Sequence, residues 1–369
     1  MKYLSRRLTL MAGTAVAAVA LLAPAAQAEE VVHVYNWVDY IGETTLEDFT
    51  KATGIKVVYD TYDAAETEEA KLLAGSSGYD VVLHSGSQLP KFIQAGAFQK
   101  IDRSKLPNWD NQDPGILKTV ENWDPGNEYS VIYMWGTTGI TYNTDMIKER
   151  LGDNAPMGTM DIIMKPELAS KVADCGISVL ESPRDVIPMV LSYLGKDPNS
   201  EDPADYEAVV EAFKPVRQYI KTFDASNYLN AIPNKELCVI NNWSGDYATA
   251  TGRADEAGVE INLEYHVPET GSPAWFDVWA IPADAKNVEN AHKFLNFMLD
   301  PKVIAGATNF TYYANANTKA REFVNQEILD DPAIYPNDEV KARLWTSKSL
   351  SPKAQRELTR AWTKIKTGS

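Results

Sequence analysis

The chain has few of the residues on which enzyme and metal sites commonly depend. Only two cysteines and four histidines occur among 369 residues, and their positions show no metal-ligand spacing. The Gly-x-Ser-x-Gly elbow, the P-loop, a Gly-x-Gly-x-x-Gly turn after a strand and the His-Glu-x-x-His helix are all missing. We therefore predict a protein that has no metal site and no cofactor and is not an enzyme.

Long apolar runs are absent after the first 28 residues. At the start, Lys2, Arg6 and Arg7 precede an apolar stretch over residues 8–22, and the small-residue triplet 26–28 follows it. This order is typical of a secretory signal peptide, and the apolar stretch is short for a bilayer span. We predict a signal peptide over residues 1–28, export of the chain, and no membrane insertion of the mature protein.

Positive charge is scarce relative to negative charge. Lys and Arg number 35 against 51 Asp and Glu, which gives a formal net charge of -16. Such a surface repels phosphate backbones and anionic membranes, so a nucleic-acid partner is not expected. The charge is compatible with a cationic ligand, but many acidic proteins owe their charge to solubility alone.

What remains after the signal is too long for one ordinary core, and its pattern alternates between strands and helices. Periodicity predicts strands at 31–35, 55–59 and 79–83, with helices at 44–53 and 66–74 between them. A β-rich stretch at 129–142 then leads to strands at 176–180 and 237–241, helices at 186–194 and 203–222, a strand at 278–282 and a helix at 288–299. This alternation predicts an α/β fold with mostly parallel sheets, in which ligands gather beyond the carboxyl ends of strands.

Aromatic and acidic residues occur together where predicted strands end. Trp37 stands near Asp39 and Tyr40, Trp243 near Asp246, and Trp275 near Asp277. Carboxylates form charge-assisted hydrogen bonds with ammonium groups, and aromatic faces attract cations and cover methylene chains. Taken singly, each tryptophan is as well explained by packing and each aspartate by capping or a turn. A sugar site with paired carboxylates is an open alternative.

Several motifs together resemble one protein family. They are Asn36-Trp37-x-Asp39-Tyr40-Ile41, the segments 54–60 and 74–80, Tyr133-Met134-Trp135-Gly136-Thr137-Thr138-Gly139-Ile140, Trp243-Ser244-Gly245-Asp246 and Tyr313-Ala314-Asn315-Ala316-Asn317. Across essentially the whole mature chain, the sequence resembles the putrescine- and spermidine-binding periplasmic receptors of ABC transporters. The resemblance implies a polyamine ligand, a periplasmic location and an inner-membrane ABC permease as partner.

The same resemblance implies a type II periplasmic binding protein fold, with the ligand in the cleft between two lobes. We place lobe 1 at residues 29–136 and about 262–310, and lobe 2 at 137–261 and about 311–369. The two cysteines, Cys175 and Cys238, would be either a disulfide or two buried thiols from the sequence alone. The resemblance implies that they form a disulfide in lobe 2.

Carried over position by position, the ligand site of the family falls on eleven residues. They are Trp37, Asp39, Tyr40, Ser85, Ser87, Asp185, Trp243, Asp246, Trp275, Asp277 and Tyr313. The resemblance implies that Asp277 grips one terminal amine and that Asp246 with Asp185 serves the other end. The remaining aromatic and hydroxyl groups would line the alkyl chain and add polar contacts.

This chain departs from the family pattern at four positions, Val38, His84, Asp185 and Trp275. The Trp275 indole enlarges the aromatic wall, which would either favour the longer spermidine or narrow the cleft. Arg184, beside Asp185, raises the alternative of a ligand that carries a carboxylate at one end, such as a γ-amino acid, and agmatine is a further alternative. The sequence leaves the preferred ligand open.

Two further alternatives belong to other kinds of protein. The adjacent tyrosines Tyr312 and Tyr313 resemble the pairs used by ferric-iron receptors of the same fold, although the rest of an iron ligand set is not evident. A secreted carbohydrate-active enzyme would use acids from the same set, Asp39, Asp185, Asp246 or Asp277, as acid and base.

Overall fold

The structure, a computed structural model, describes residues 30–368. The predicted signal peptide lies outside this range. The strands of the described residues are β1 (Val31–Trp37), β2 (Lys56–Tyr62), β3 (Val81–Ser85), β4 (Ser130–Asn143), β5 (Ile177–Leu180), β6 (Ile220–Asp224), β7 (Val239–Trp243), β8 (Leu263–His266), β9 (Ser272–Ala280), β10 (Ala314–Asn315) and β11 (Leu344–Trp345).

The α-helices surround these strands. They are α1 (Thr45–Thr53), α2 (Ala65–Leu73), α3 (Leu89–Gln94), α4 (Pro114–Val120), α5 (Thr144–Leu151), α6 (Asp161–Met164), α7 (Pro166–Val172), α8 (Pro183–Tyr193), α9 (Pro203–Phe213), α10 (Tyr228–Ala231), α11 (Ser244–Glu256), α12 (Val288–Met298), α13 (Pro301–Thr311), α14 (Gln326–Leu329), α15 (Asp338–Lys341) and α16 (Pro352–Thr367). Among residues 30–368, none of the helices combines the length and hydrophobicity that a membrane span requires.

Two sheet regions form the two lobes, and β4 connects them. The strand order is β2-β1-β3-β9-β4-β7-β5-β6. In the first lobe β1 pairs parallel with β2 and β3, and β9 lies antiparallel between β3 and β4. In the second lobe β5 pairs parallel with β6 and β7, while β7 and β8 run antiparallel to β4. The predicted two-lobed α/β fold is confirmed.

The crossing strand β4 changes partners along its length. Residues up to Thr137 pair with β9, whereas residues from Thr138 onward pair with β7. Gly136 lies at this point, where a Cβ atom would stand 2.5 Å from the Trp275 ring and 2.7 Å from the Ser244 hydroxyl. Only glycine therefore lets both lobes approach the crossing so closely.

Each lobe has its own apolar core. Val32, Phe49, Leu83 and Trp279 are among the fully buried residues of the first, and Ile177, Val210, Ile240 and Leu358 belong to the second. The segment after α13 was predicted to belong to lobe 2 from residue 311 onward. Instead, Ala320 and Ile334 pack into the core of the first lobe, and β10 pairs with β4 at Met134 and Trp135. The helix that packs into the second core is α16.

Two local predictions were wrong at their boundaries. The predicted helix at 203–222 ends at Phe213, and residues from Ile220 form the parallel edge strand β6. Pro215 follows the helix end and, lacking an N–H, cannot continue the helical hydrogen bonding. The strand predicted at 278–282 begins at Ser272, because β4 supplies partners for the preceding residues.

Cys175 and Cys238 form a disulfide in the second lobe, with their Cα atoms 5.5 Å apart. Both residues are buried, at 5% and 0% relative exposure, and both belong to that lobe's apolar core. The bond ties the loop before β5 to the start of β7 and thereby joins the two neighbouring strands at one end. The predicted disulfide is confirmed.

Candidate functional site

One cavity of about 210 Å³ lies between the lobes at the ends of several strands. All eleven residues that the sequence predicts for a ligand site line it, namely Trp37, Asp39, Tyr40, Ser85, Ser87, Asp185, Trp243, Asp246, Trp275, Asp277 and Tyr313. They come from segments far apart in the chain, and the fold brings them together.

The first lobe contributes a turn that follows β1. Asn36 holds this turn, because its side-chain amide donates to the Tyr40 carbonyl at 2.7 Å and its oxygen accepts from the Trp37 N–H at 2.8 Å. Asp39 adopts a left-handed backbone with φ of 55°, a conformation that aspartate tolerates better than most residues. The turn thus presents an indole, a carboxylate and the Tyr40 phenol to the cleft.

Asp277 is the buried acid of the first lobe. It lies on β9 directly opposite Ser85, the last residue of β3, and its relative exposure is 9%. Burial raises the pKa of Asp277 to about 8, repulsion from Asp185 and Glu68 adds to the rise, and the nearby Tyr40 hydroxyl opposes it. A buried carboxyl of this kind is stabilised most by a cation, because the cation takes the place of the water that the carboxylate has lost.

Asp246 is the corresponding acid of the second lobe, in the first turn of α11. The hydroxyls of Tyr228 and Tyr313 each donate a hydrogen bond to one of its carboxylate oxygens. Burial raises the pKa of Asp246 to about 6, although these hydrogen bonds and the charge of Arg253 oppose the rise. Because Tyr313 packs in the core of the first lobe, this carboxylate also joins the two lobes.

Asp185 stands in the first turn of α8 and is fixed by two hydroxyls. Thr138 donates to Oδ1 at 2.8 Å, and Ser182 donates to Oδ2 at 2.5 Å. Burial raises the pKa of Asp185 despite these hydrogen bonds. With both oxygens already engaged, Asp185 has less capacity for a further direct contact than Asp277.

Indole and phenol rings form the walls between the acids. The rings of Trp37 and Trp243, one from each lobe, lie 6.4 Å apart, and the Trp275 and Tyr313 rings lie 5.4 Å apart. The buried Trp275 N–H has no hydrogen-bond partner in the described part of the chain. Flat apolar walls of this kind cover methylene groups, and their faces attract cations.

Several neighbours of the site were missed at the sequence level. Tyr228, which donates to Asp246, begins α10 after β6, and Ser226 in the loop between them lines the cavity. The rule that sites follow strand ends would have found both, but the sequence predicts a helix up to residue 222 and no strand there. Arg253, whose guanidinium lies 3.3 Å from the Asp39 carboxylate across the cleft, carries no comparable local signal.

The sequence suggests Arg184 as a partner for a ligand carboxylate. In the structure its guanidinium instead binds both carboxylate oxygens of Glu69, on α2 of the first lobe, and the second of these contacts measures 3.2 Å. Tyr312 of the tyrosine pair does not line the cavity, whereas Tyr313 does. The two phenols therefore do not converge on one point of the cavity, as a shared iron ion would require.

Sequence comparison agrees with this arrangement. The profile described as "Bacterial extracellular solute-binding protein" matches residues 44–336. This chain belongs to that family. The solute-binding protein is 47% identical over 360 residues to the putrescine-binding periplasmic protein SpuD of Pseudomonas aeruginosa, covering 98% of both chains. It is 46% identical over 341 residues to the putrescine-binding periplasmic protein PotF of Escherichia coli, covering 92% of both.

A solved structure extends the likeness to three dimensions. The spermidine/putrescine ABC transporter substrate-binding protein PotD of Streptococcus pneumoniae superposes with a TM-score of 0.76 at 29% identity, covering 92% of this chain and 99% of that one. The solute-binding protein therefore has the two-lobed type II fold that the sequence predicted.

Proposed function

We propose that this solute-binding protein captures a small polyamine, putrescine in the first place, and delivers it to an ABC permease. The observation that carries the proposal is the pair of buried acids, Asp246 and Asp277, on opposite lobes of one aromatic-lined cavity. The relatives SpuD and PotF, which are putrescine-binding periplasmic proteins, support the same ligand.

The electrostatics favour a ligand with a positive charge at each end. Aliphatic amines titrate near the lysine value of about 10.4, so a diamine carries two charges at neutral pH. An ammonium about 4 Å from a carboxylate gains roughly 4 kcal/mol at an effective dielectric near 20, which offsets part of the cost of desolvation. Since one such contact compensates only one charge, a buried acid is needed near each end.

Within this proposal, Asp277 binds one ammonium and Asp246, with Asp185 behind it, serves the other. The chain of methylenes lies between Trp37, Trp243, Trp275 and Tyr313. Tyr40, Ser85 and Ser87 add polar contacts from the first lobe, and Asp39 acts at the mouth of the cleft. The pairing of Arg184 with Glu69 favours a diamine over a γ-amino acid, because the guanidinium is already neutralised.

We further propose that the lobes divide at residues 30–136 with 267–336, and 138–266 with 350–368. A ligand that contacts both lobes stabilises the closed arrangement, and the permease would recognise that closed shape. The mature protein would act in the periplasm after removal of residues 1–28. It would bind its ligand without transforming it.

A thermal-shift screen tests the ligand, because a ligand that binds only the folded state raises the unfolding temperature. The panel comprises putrescine, cadaverine, spermidine, agmatine and γ-aminobutyrate, each at the same concentration and ionic strength. Putrescine should give a clear increase and γ-aminobutyrate should give none. A shift with γ-aminobutyrate alone, or with none of the amines, would overturn the proposal.

A further inference from the structure

The ligand cavity continues beyond its acidic part along one face of α8. Arg184, Ile187, Pro188 and Leu191 all line it, and their spacing of three and four residues places them on one side of the helix. At 1.5 Å per residue, this face extends about 10 Å beyond Arg184. We call the part of the cavity along this face the α8 extension.

The opposite wall of the α8 extension combines apolar side chains with uncharged polar ones and a single lysine. It is lined by Pro198, Asn199, Ser200, Tyr206, Ser347, Lys348, Leu350 and Leu358. Tyr206 is 3% exposed, and its hydroxyl has no hydrogen-bond partner within residues 30–368. A buried hydroxyl without a partner is costly, so a ligand group that bonded to it would be stabilised.

No carboxylate with a free oxygen lines the α8 extension. Asp185 lies at its inner end, next to Arg184 on α8, but Thr138 and Ser182 already bind both of its oxygens, and the other acids that line the cavity come from other segments. Among the acids close in sequence to this wall, Glu201 accepts from Ser351, and Asp205 accepts from Lys196 and Ser200. The other charged residues that line the extension are cationic, with Arg184 at its inner end and Lys348, which is exposed, on its wall.

Because it offers no free carboxylate, the α8 extension discriminates between charged and uncharged ligand tails. An ammonium in the extension would lose water without gaining a carboxylate, and it would lie near the Lys348 ammonium, whereas Arg184 is already neutralised by Glu69. A neutral amide tail loses far less on desolvation, and its carbonyl can accept a hydrogen bond from the Tyr206 hydroxyl. The α8 extension therefore disfavours a third positive charge but not added length.

We propose that the ligands of this protein include triamines acylated on the nitrogen of one arm, with the acylamide tail in the α8 extension. In spermidine acetylated on its aminopropyl nitrogen, the two remaining amines are separated by four methylenes, as in putrescine. These two ammoniums occupy the Asp246 and Asp277 ends, and the acetamidopropyl arm lies along α8. The inference rests on the proposed diamine site and names a second class of substrate for it.

Calorimetric titration of the mature protein with three ligands tests the inference. The ligands are putrescine, spermidine and this acetylspermidine, which differs from spermidine by one charge. Acetylspermidine should bind at least about tenfold more tightly than spermidine, the equivalent of about 1.4 kcal/mol. If putrescine binds but acetylspermidine binds no better than spermidine, the inference fails while the proposed function stands. If putrescine does not bind, the proposed function fails and the inference with it.

Two variants locate the effect in the α8 extension. Lys348→Glu adds an acid there and should lower the affinity ratio of acetylspermidine to spermidine about fivefold or more. Tyr206→Phe removes the unpaired hydroxyl and should lower the same ratio by about threefold to tenfold. Lys353→Glu is the matched control, since Lys353 is exposed on α16 and does not line the cavity. An equal change in Lys353→Glu would overturn the assignment to the extension.

Discussion

The guanidinium of Arg184, on the second lobe, holds both carboxylate oxygens of Glu69, on the first. The side chains are only 18% and 7% exposed, and the Lys91 ammonium lies 3.2 Å from Glu69 on its other side. Burial alone would raise the pKa of Glu69, but the hydrogen bonds and charge of Arg184 outweigh it and lower the pKa. This ion pair exists only while the lobes are together, so it stabilises closure without touching the diamine site.

The substitution Glu69→Gln should weaken the binding of every ligand by a similar factor, at least about tenfold. The reason is that the closed state would then contain a largely buried guanidinium without its counter-charge. Calorimetry on two diamines of different length measures the factor, and small-angle scattering measures the closed fraction at saturation. Glu66→Gln, an exposed change on the same helix, is the control. Loss of affinity for one diamine only would show that Glu69 acts on the ligand instead.

Asp277→Asn should reduce putrescine affinity by more than tenfold. The amide keeps the shape of the carboxyl but leaves one ammonium desolvated without a charge partner. Titration calorimetry measures the loss, and Asp153→Asn, which removes the same charge from an exposed position, provides the comparison. Unchanged affinity would remove Asp277 from the site.

Putrescine binding should release protons near neutral pH. An unfolded aspartate titrates near 3.9, whereas the pKa of Asp277 is raised to about 8 and that of Asp246 to about 6. Between about pH 4 and pH 8, the ligand-free folded state binds more protons than the unfolded chain. The stability of the ligand-free protein therefore falls as the pH rises over this range. A diammonium ligand favours the ionised carboxylates, so affinity should rise over pH 6 to 8.

Calorimetry at pH 7 in two buffers of different ionisation enthalpy counts the protons released. We expect a value close to one for the wild-type protein, and a much smaller value for Asp277→Asn. Proton uptake, or identical heats in both buffers, would contradict the assignment of the raised pKa to the binding site.

Removing the Cys175–Cys238 bond should lower stability without altering the cavity. The bond closes a loop across a sequence separation of 63 residues, for which the chain-entropy relation gives about 4 kcal/mol. Neither cysteine lines the cavity. Urea unfolding of a Cys175→Ala, Cys238→Ala variant should show the loss of unfolding free energy. The putrescine affinity of this variant at low urea should stay within about twofold of wild type. A large loss of affinity would indicate that the bond shapes the site.

Local signals predicted the opening elements well. The helix α1 ends at Gly54, whose φ of 75° is the left-handed conformation typical of a helix stop, and apolar runs marked the buried strands. Local signals failed where pairing with a distant strand decides whether a segment becomes a strand. The strand β6 depends on β5, and the start of β9 depends on β4, and neither partner is visible in a local window.

The kinds of residue in the candidate site were predictable from the sequence, but the contacts between the two lobes were not. Aromatic and acidic residues at predicted strand ends pointed to seven of the positions that line the cavity, and the family resemblance supplied the full set of eleven. The contacts that join the lobes, such as Tyr313 to Asp246 and Arg253 to Asp39, link positions 67 and 214 residues apart. No spacing rule relates such pairs, because the distance between them is set by how the two lobes meet.

The strand β9 has a consequence for the order in which the chain can fold. It lies between β3 and β4 in the first lobe, so that sheet lacks an inner strand until residues 272–280 have been made. The core of the second lobe is completed later still, because α16 supplies the buried residues Leu358 and Ile365. A nascent chain therefore holds two unfinished cores with exposed apolar faces until residues 352–367 have been made. Such a chain depends on chaperones for longer than one whose domains follow each other in sequence.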